Sequence, residues 1–146
     1  MDINIKLINE NAKVPTRGSA HAAGYDLYAG ADHEIEIASH DTVKVDTGIA
    51  VEIPNGYFGA IYARSGLATN HGLRPANCVG VIDSDYRGNI IVALHNDTDI
   101  EQKIGINERI AQLVIQPYLP VSFNVVVENL SETDRGSSGF GDSGRF

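Results

Sequence analysis

Apolar and polar positions alternate over short distances along most of this chain, and one stretch alone breaks that two-residue rhythm. Residues 3–8, 22–29, 35–37, 42–46, 49–53, 57–63, 109–116 and 121–127 each read as a short β-favouring run. A loop over 15–20 and the turn Pro54-Asn55-Gly56 punctuate them, while the polar residues 97–103 predict a loop or an edge. Residues 65–71 suggest a helix of two turns at most, with Ser65 as its N-cap. Close-set strands, Gly and Pro turns and almost no helix predict an all-β sandwich or barrel. No repeat period is visible.

Residues 80–91 are the stretch around which the rest is organised. The apolar run Cys78-Val79-Gly80-Val81-Ile82 ends in Asp83, a polar turn follows, and a second apolar run spans 90–94. Two such runs joined by turn residues predict a hairpin. Asp83 then stands where a buried strand leaves the core, a place that can hold a carboxylate partly out of water. Two readings of it are open: Asp83 and Asp85 cap a turn, as Asp often does, or Asp83 is a working acid. Tyr86 is likewise open between a packing aromatic beside the turn and a ligand contact.

At 146 residues the chain is one domain. A chain of that size buries roughly 68–70% of its unfolded surface without disulfide staples. The single cysteine, Cys78, has no internal partner, which favours a reducing compartment; within an apolar strand it is expected to be a small core residue. No apolar run is long enough to span a bilayer and no basic-then-apolar leader opens the sequence, so a soluble, cytosolic protein is expected, with the nucleus an alternative for a viral or eukaryotic host. The net charge of −8 argues against a nucleic-acid surface. Lys6, Lys13, Lys44 and Lys103 lie among ordinary strand and loop residues, whereas Arg64, Arg87 and Arg135 each adjoin Ser or Gly. Arginine beside open backbone N–H groups suits phosphate or carboxylate oxygens. A small anionic ligand is the reading that follows.

Residues 135–146 differ in kind, being dominated by glycine and serine around Phe140. Such a segment cannot bury enough to hold itself in place and is expected to be mobile. It is either a frayed terminus or a functional arm, with glycine N–H groups forming an anion nest, Arg135 adding charge and Phe140 a flat apolar face. Its Gly139-Phe140-Gly141-Asp142-Ser143-Gly144 spells the dinucleotide fingerprint, but only two residues remain for the helix that motif opens. No P-loop or nucleophile elbow is present, and His21, His33, His40, His71 and His95 lack metal-ligand spacing. Ser65, after Arg64, suits a phosphate contact better than a nucleophile.

Taken together, Ala23-Gly24-Tyr25-Asp26-Leu27, Arg64-Ser65-Gly66-Leu67-Ala68, the run from Gly80 to Gly88, Arg109-Ile110-Ala111-Gln112-Leu113 and Arg135 to Gly141 resemble the five ordered motifs of the trimeric deoxyuridine triphosphatases. The resemblance implies a jelly-roll-like β-clip domain over 1–134 and a lid over 135–146. It implies a homotrimer with shared active sites that cleaves dUTP to dUMP and pyrophosphate with Mg²⁺, keeping uracil out of DNA and supplying dUMP for thymidylate synthesis. It makes Asp83 the base that activates the attacking water. It places Arg64, Ser65, Gly66, Gln112, Arg135, Gly139, Phe140, Gly141 and Ser143 around the phosphates, with Phe140 also over the uracil. Asn77, Gly80, Val81, Ile82, Asp83, Tyr86 and Ile91 surround the base and sugar, and Asp26 is a water-mediated metal neighbour at most. Two positions depart from the family pattern: Asp142 where Ser or Thr is usual, and Ala63 where Pro is frequent. A deoxycytidine triphosphate deaminase of the same fold, and a binding module without turnover, are the rival readings.

Overall fold

The computed structural model describes residues 1–139. Eleven strands and one helix follow in order. The strands are β1 (Asn4–Leu7), β2 (Tyr25–Tyr28), β3 (Ile35–Ile37), β4 (Thr42–Asp46), β5 (Ile49–Glu52), β6 (Tyr57–Tyr62), β7 (Leu73–Pro75), β8 (Gly80–Ile82), β9 (Ile91–Asn96), β10 (Gln102–Ile104) and β11 (Arg109–Pro117). The helix α1 (Ser65–His71) sits between β6 and β7. All sheet pairings are antiparallel: β2-β11-β6-β8, β4-β9-β7, β1-β5 and β3-β10. The fold is all-β, as the rhythm of the sequence predicts, and of the jelly-roll-like class that the resemblance implies.

Alternation builds the core. In β9, Val92, Leu94 and Asn96 point inward and Ile91, Ala93 and His95 do not. Leu27, Ile61 and Leu113 of one sheet join Val45, Leu73, Val92 and Leu94 of another in a single apolar cluster. Asn96 is buried inside it because its amide is fully used. It reaches the carbonyls of Ile37, Ala38 and Ile100 and accepts from the Thr98 N–H and hydroxyl. None of the described helices is long and apolar enough to cross a membrane.

Four expectations need correction. First, β8 and β9 do not form a hairpin: β8 pairs with β6, whereas β9 lies between β4 and β7. The connection is held away from β8 by Thr47, whose N–H and hydroxyl both bond the Ile90 carbonyl, and by Ile90 N–H on the Ile49 carbonyl. Second, Cys78 is exposed, not in the core. It lies in the turn before β8 with φ 62°, a left-handed conformation that no strand residue adopts. Third, Ser65 is the first helical residue; Arg64 occupies the N-cap with extended dihedrals and no side-chain cap, and Gly72 closes the helix at φ 64°. Fourth, 121–127 is not a strand. Residues 119–138 are all exposed, and none of the described strands pairs with them. The polar stretch 97–103 ends in β10, in keeping with a loop or edge.

Candidate active site

The turn after β8 is braced from three sides. Tyr86 N–H bonds the Asp83 carbonyl at 3.1 Å, and the Arg87 guanidinium donates to the carbonyls of Ser84 at 2.7 Å and Tyr86 at 3.0 Å. Arg87 also lies 3.6 Å from the Glu52 carboxylate, which accepts from the Asn4 amide at 2.8 Å. Asn89 donates to Asp46 at 2.9 Å, and the Tyr86 hydroxyl folds back onto the Asn89 carbonyl at 3.0 Å. These bonds frame a recess of about 150 Å³ lined by Val81, Ile82, Asp83, Tyr86, Asn89 and Ile91. Asn77 lies against Gly80 at the head of the same strand. The Asp83 carboxylate has no hydrogen bond or ion pair among the described residues and is exposed at the rim. An acid held on a braced turn with both oxygens open is able to take a proton or hold a water. Asp83 also lines a wider groove of about 1120 Å³ that runs past Asp2, Glu52, Phe58, Asp85 and Tyr118.

A second cluster forms where β6 passes into α1. Asp26 on β2 is 14% exposed and is clamped by Arg64 Nε at 2.8 Å and an Arg109 guanidinium nitrogen at 3.2 Å. Arg64 also approaches the Arg109 carbonyl at 3.4 Å. Gln112 stands opposite both Asp26 and Tyr62 in the sheet, and its amide donates to the Ala63 carbonyl at 2.9 Å. Ser65 and Gly66 are exposed immediately after Arg64. Two guanidinium groups share one carboxylate, so the cluster carries excess positive charge of a kind that suits an anion.

Arg109 is a member that sequence reasoning passed over, although it opens the motif containing Gln112. The reason is a bulge. Arg109 faces Tyr28 while Ala111 faces Leu27, so the register slips by one between them. Without the slip Arg109 would share the inward face of Ala111 and Leu113; the bulge turns it onto the face of Gln112 and Asp26.

The two clusters are not brought together within one chain. Ile82 pairs with Gly59 near the start of β6, and Asp83 lies beyond it; Tyr62 ends β6, and Arg64 lies two residues further. The strand between adds roughly 10 Å, at ~3.3 Å per residue. Arg135 joins neither cluster: its Nε donates to the nearby Ser138 carbonyl at 2.9 Å. Gly139 is half-buried, and Phe140, Gly141 and Ser143 lie outside the described residues.

Among the described residues no group of three or more His, Cys, Asp or Glu side chains could hold a metal ion. Both oxygens of Asp26 already face arginines, so it suits an outer contact through water. That donor set fits a magnesium ion carried mostly by phosphate oxygens and does not fit a protein-built cage.

The approach to β8 is strapped electrostatically. Arg74 on β7 makes a two-pronged pair with Asp97, at 2.6 and 3.0 Å, and reaches towards the Pro75 carbonyl and the Cys78 sulfur. The hydrogen bonds from Arg74 hold the Asp97 carboxyl below the usual carboxylate range and raise the guanidinium in turn.

Comparison with known proteins joins these features. The family model described as dUTPase matches residues 10–144. A probable deoxyuridine 5'-triphosphate nucleotidohydrolase of Schizosaccharomyces pombe is 42% identical over 146 residues, covering 99% of each chain. A Staphylococcus bacteriophage 80alpha dUTPase, solved with dUPNHPP, superposes with a TM-score of 0.89 at 30% identity over 98% of each chain. A variant dUTPase from phage phi11 of S. aureus, described with a coordinated structural Mg(II) ion, gives 0.79 at 25% identity over 88% of this chain and 98% of its own. With the match running through both clusters and nearly end to end, this chain belongs to the dUTPase family.

Proposed function

We propose that the protein hydrolyses dUTP to dUMP and pyrophosphate, with Asp83 as the base that activates water. The observation that carries this reading is the Asp83 carboxylate, unpaired among the described residues, at the rim of a recess sized for one ring. Water attacks the α-phosphorus and gives its proton to Asp83. The bond from that phosphorus to the oxygen bridging the α- and β-phosphates breaks, and the electron pair leaves on pyrophosphate. A positioned carboxylate base contributes on the order of 10²–10⁴-fold. Alignment and charge neutralisation carry more of phosphoryl transfer. Here Arg64, Ser65, Gly66 and Gln112 hold the inner phosphates, and Arg109 adds a second guanidinium beside Arg64. Magnesium bound with the nucleotide would supply further neutralisation of the triphosphate, and Asp26 would serve it as an outer contact through water.

Base choice falls to β8. It is the outer strand of its sheet, so one edge of Gly80, Val81 and Ile82 is open for hydrogen bonding. Uracil presents acceptor, donor, acceptor, and an extended backbone edge can answer that pattern. Cytosine leaves buried groups unpaired, a mismatch that costs about 10⁴–10⁵ in discrimination. Asn77 supports the edge, Ile91 closes the floor, and Tyr86 packs beneath the deoxyribose, excluding a 2′-hydroxyl.

The site is completed by other copies of the chain in a homotrimer. A recess of about 150 Å³ is well below the roughly 300–1,000 Å³ of a complete small-molecule site. The phosphate cluster lies at the far end of β6 from Asp83. Residues 135–146 form the lid: Arg135, Gly139, Gly141 and Ser143 close on the outer phosphate and Phe140 covers the uracil. In the exposed segment before it Leu119, Val121, Phe123, Val125 and Val127 fall at every second position, with Val126 the one large apolar side chain between them out of phase. That is one face of a strand, suited to the edge of a neighbouring copy.

Incubation with dUTP, dCTP or dTTP and Mg²⁺ tests the reading. Pyrophosphate from dUTP alone is expected. A deoxyuridine nucleotide formed from dCTP would establish the deaminase instead, and binding without product a module lacking turnover.

A further inference from the structure

Gln112 has three neighbours that fix it, and one is an absence. Its amide nitrogen is held by the Ala63 carbonyl at 2.9 Å, and its backbone stands between Asp26 and Tyr62. Its amide oxygen lies over Gly24, two residues before Asp26 on the same face of that chain segment. A Cβ built at Gly24 would overlap that oxygen and come within 3.0 Å of the Gln112 Cδ and 3.3 Å of its Cβ. The conflict thus involves the side chain from tip to root, and a small tilt of the carboxamide does not relieve it.

The backbone does not require glycine there. Gly48, Gly56 and Gly72 have φ of 69°, 87° and 64°, whereas Gly24 is not among the left-handed residues. Alanine at 24 meets no backbone penalty of the kind that φ > 0 imposes. The three nearest atoms it would meet all belong to Gln112. Glycine at this position therefore serves the placement of one side chain rather than the path of the chain.

We propose that Gly24 is a positioning residue for phosphate binding: by having no side chain it leaves the space in which the Gln112 carboxamide is pinned, with its second N–H turned to the nucleotide. Of the two amide hydrogens one is spent on Ala63, and the other remains for a phosphate oxygen. A methyl group at 24 swings the carboxamide off Ala63 and removes that donor. The inference rests on Gln112 touching phosphate, and the test separates the two claims.

Steady-state hydrolysis of dUTP is measured for the parent, Gly24→Ala, Gln112→Ala and the double variant, with binding of deoxyuridine, which has no phosphate, and thermal midpoints alongside. Loss of a hydrogen bond to a charged phosphate predicts a fall of about 10- to 100-fold in kcat/KM for each single variant. The double variant should fall no further than Gln112→Ala, because with the carboxamide gone the methyl group loses its two nearest contacts and keeps, of the three, only the Cβ of position 112 at 3.3 Å. Deoxyuridine binding should be unchanged in all. Should Gly24→Ala lower the thermal midpoint, removing Gln112 as well restores it. Multiplying losses in the double variant, or full activity of Gly24→Ala beside an impaired Gln112→Ala, overturns the role of Gly24 alone. Full activity of Gln112→Ala overturns the phosphate role of Gln112 and the inference with it.

Discussion

Asp83 and Arg64 flank the same strand from opposite ends: one follows the residue paired with Gly59, the other lies two residues past Tyr62. Both are proposed to act on one triphosphate, and in the proposed trimer they come from different copies of the chain. Arg64→Gln and Asp83→Asn proteins, each inactive alone, should therefore complement when unfolded and reassembled together. Random assortment of equal amounts into closed oligomers restores about a quarter of parental activity, since half of each partner position is intact. No recovery would mean that a single chain supplies both residues.

Arg109 shares Asp26 with Arg64 and is half-exposed, so its removal leaves a second guanidinium in place. Arg109→Gln should raise KM for dUTP about tenfold, the scale of one charge-assisted contact, with kcat little changed. Equal binding of dUTP by the variant and the parent would show that the guanidinium only braces Asp26.

The alternating apolar segment makes a separate prediction. Phe123 and Val125 are 92% and 96% exposed within their own chain, so polar replacement costs the isolated domain nothing it has buried. Phe123→Asp with Val125→Asp should shift sedimentation from the proposed trimer to monomer while the far-ultraviolet β signature persists. An unchanged trimer would free the segment of any role in assembly.

The strap at Arg74 gives a pH dependence. Asp97 is held below its unfolded range by the Arg74 hydrogen bonds. A depressed carboxyl contributes stability that is fully present above its unfolded value of about 3.9. That contribution is lost as pH falls through the lower folded value. Asp97→Asn should lower the thermal midpoint at pH 7 and narrow its gap to the parent below about pH 4. A gap independent of pH would assign the effect to packing.

Much of this was legible in the residues, and the misses share a cause. The two-residue rhythm marks the strands because each buries one face, and Asp83, Gln112 and Arg64 stand out by their company in short motifs. What the rhythm does not carry is partnership: β8 and β9 read as a hairpin, yet Thr47 and Ile49 hold Ile90 in another layer. Residues 121–127 read as a strand because they are strand-like, yet none of the described strands pairs with them. Cys78 looked buried within an apolar run, but the left-handed turn before β8 lifts it out. Arg109 was hidden by a bulge, which alternation takes no account of.

The central claim is that the Asp83 carboxylate deprotonates the attacking water. Its direct test is the single-turnover rate of dUTP cleavage by Asp83→Asn, with nucleotide binding measured in parallel. The account predicts retained binding and a rate lower by about 10²–10⁴-fold; cleavage at the parental rate by a folded, nucleotide-bound variant would contradict it.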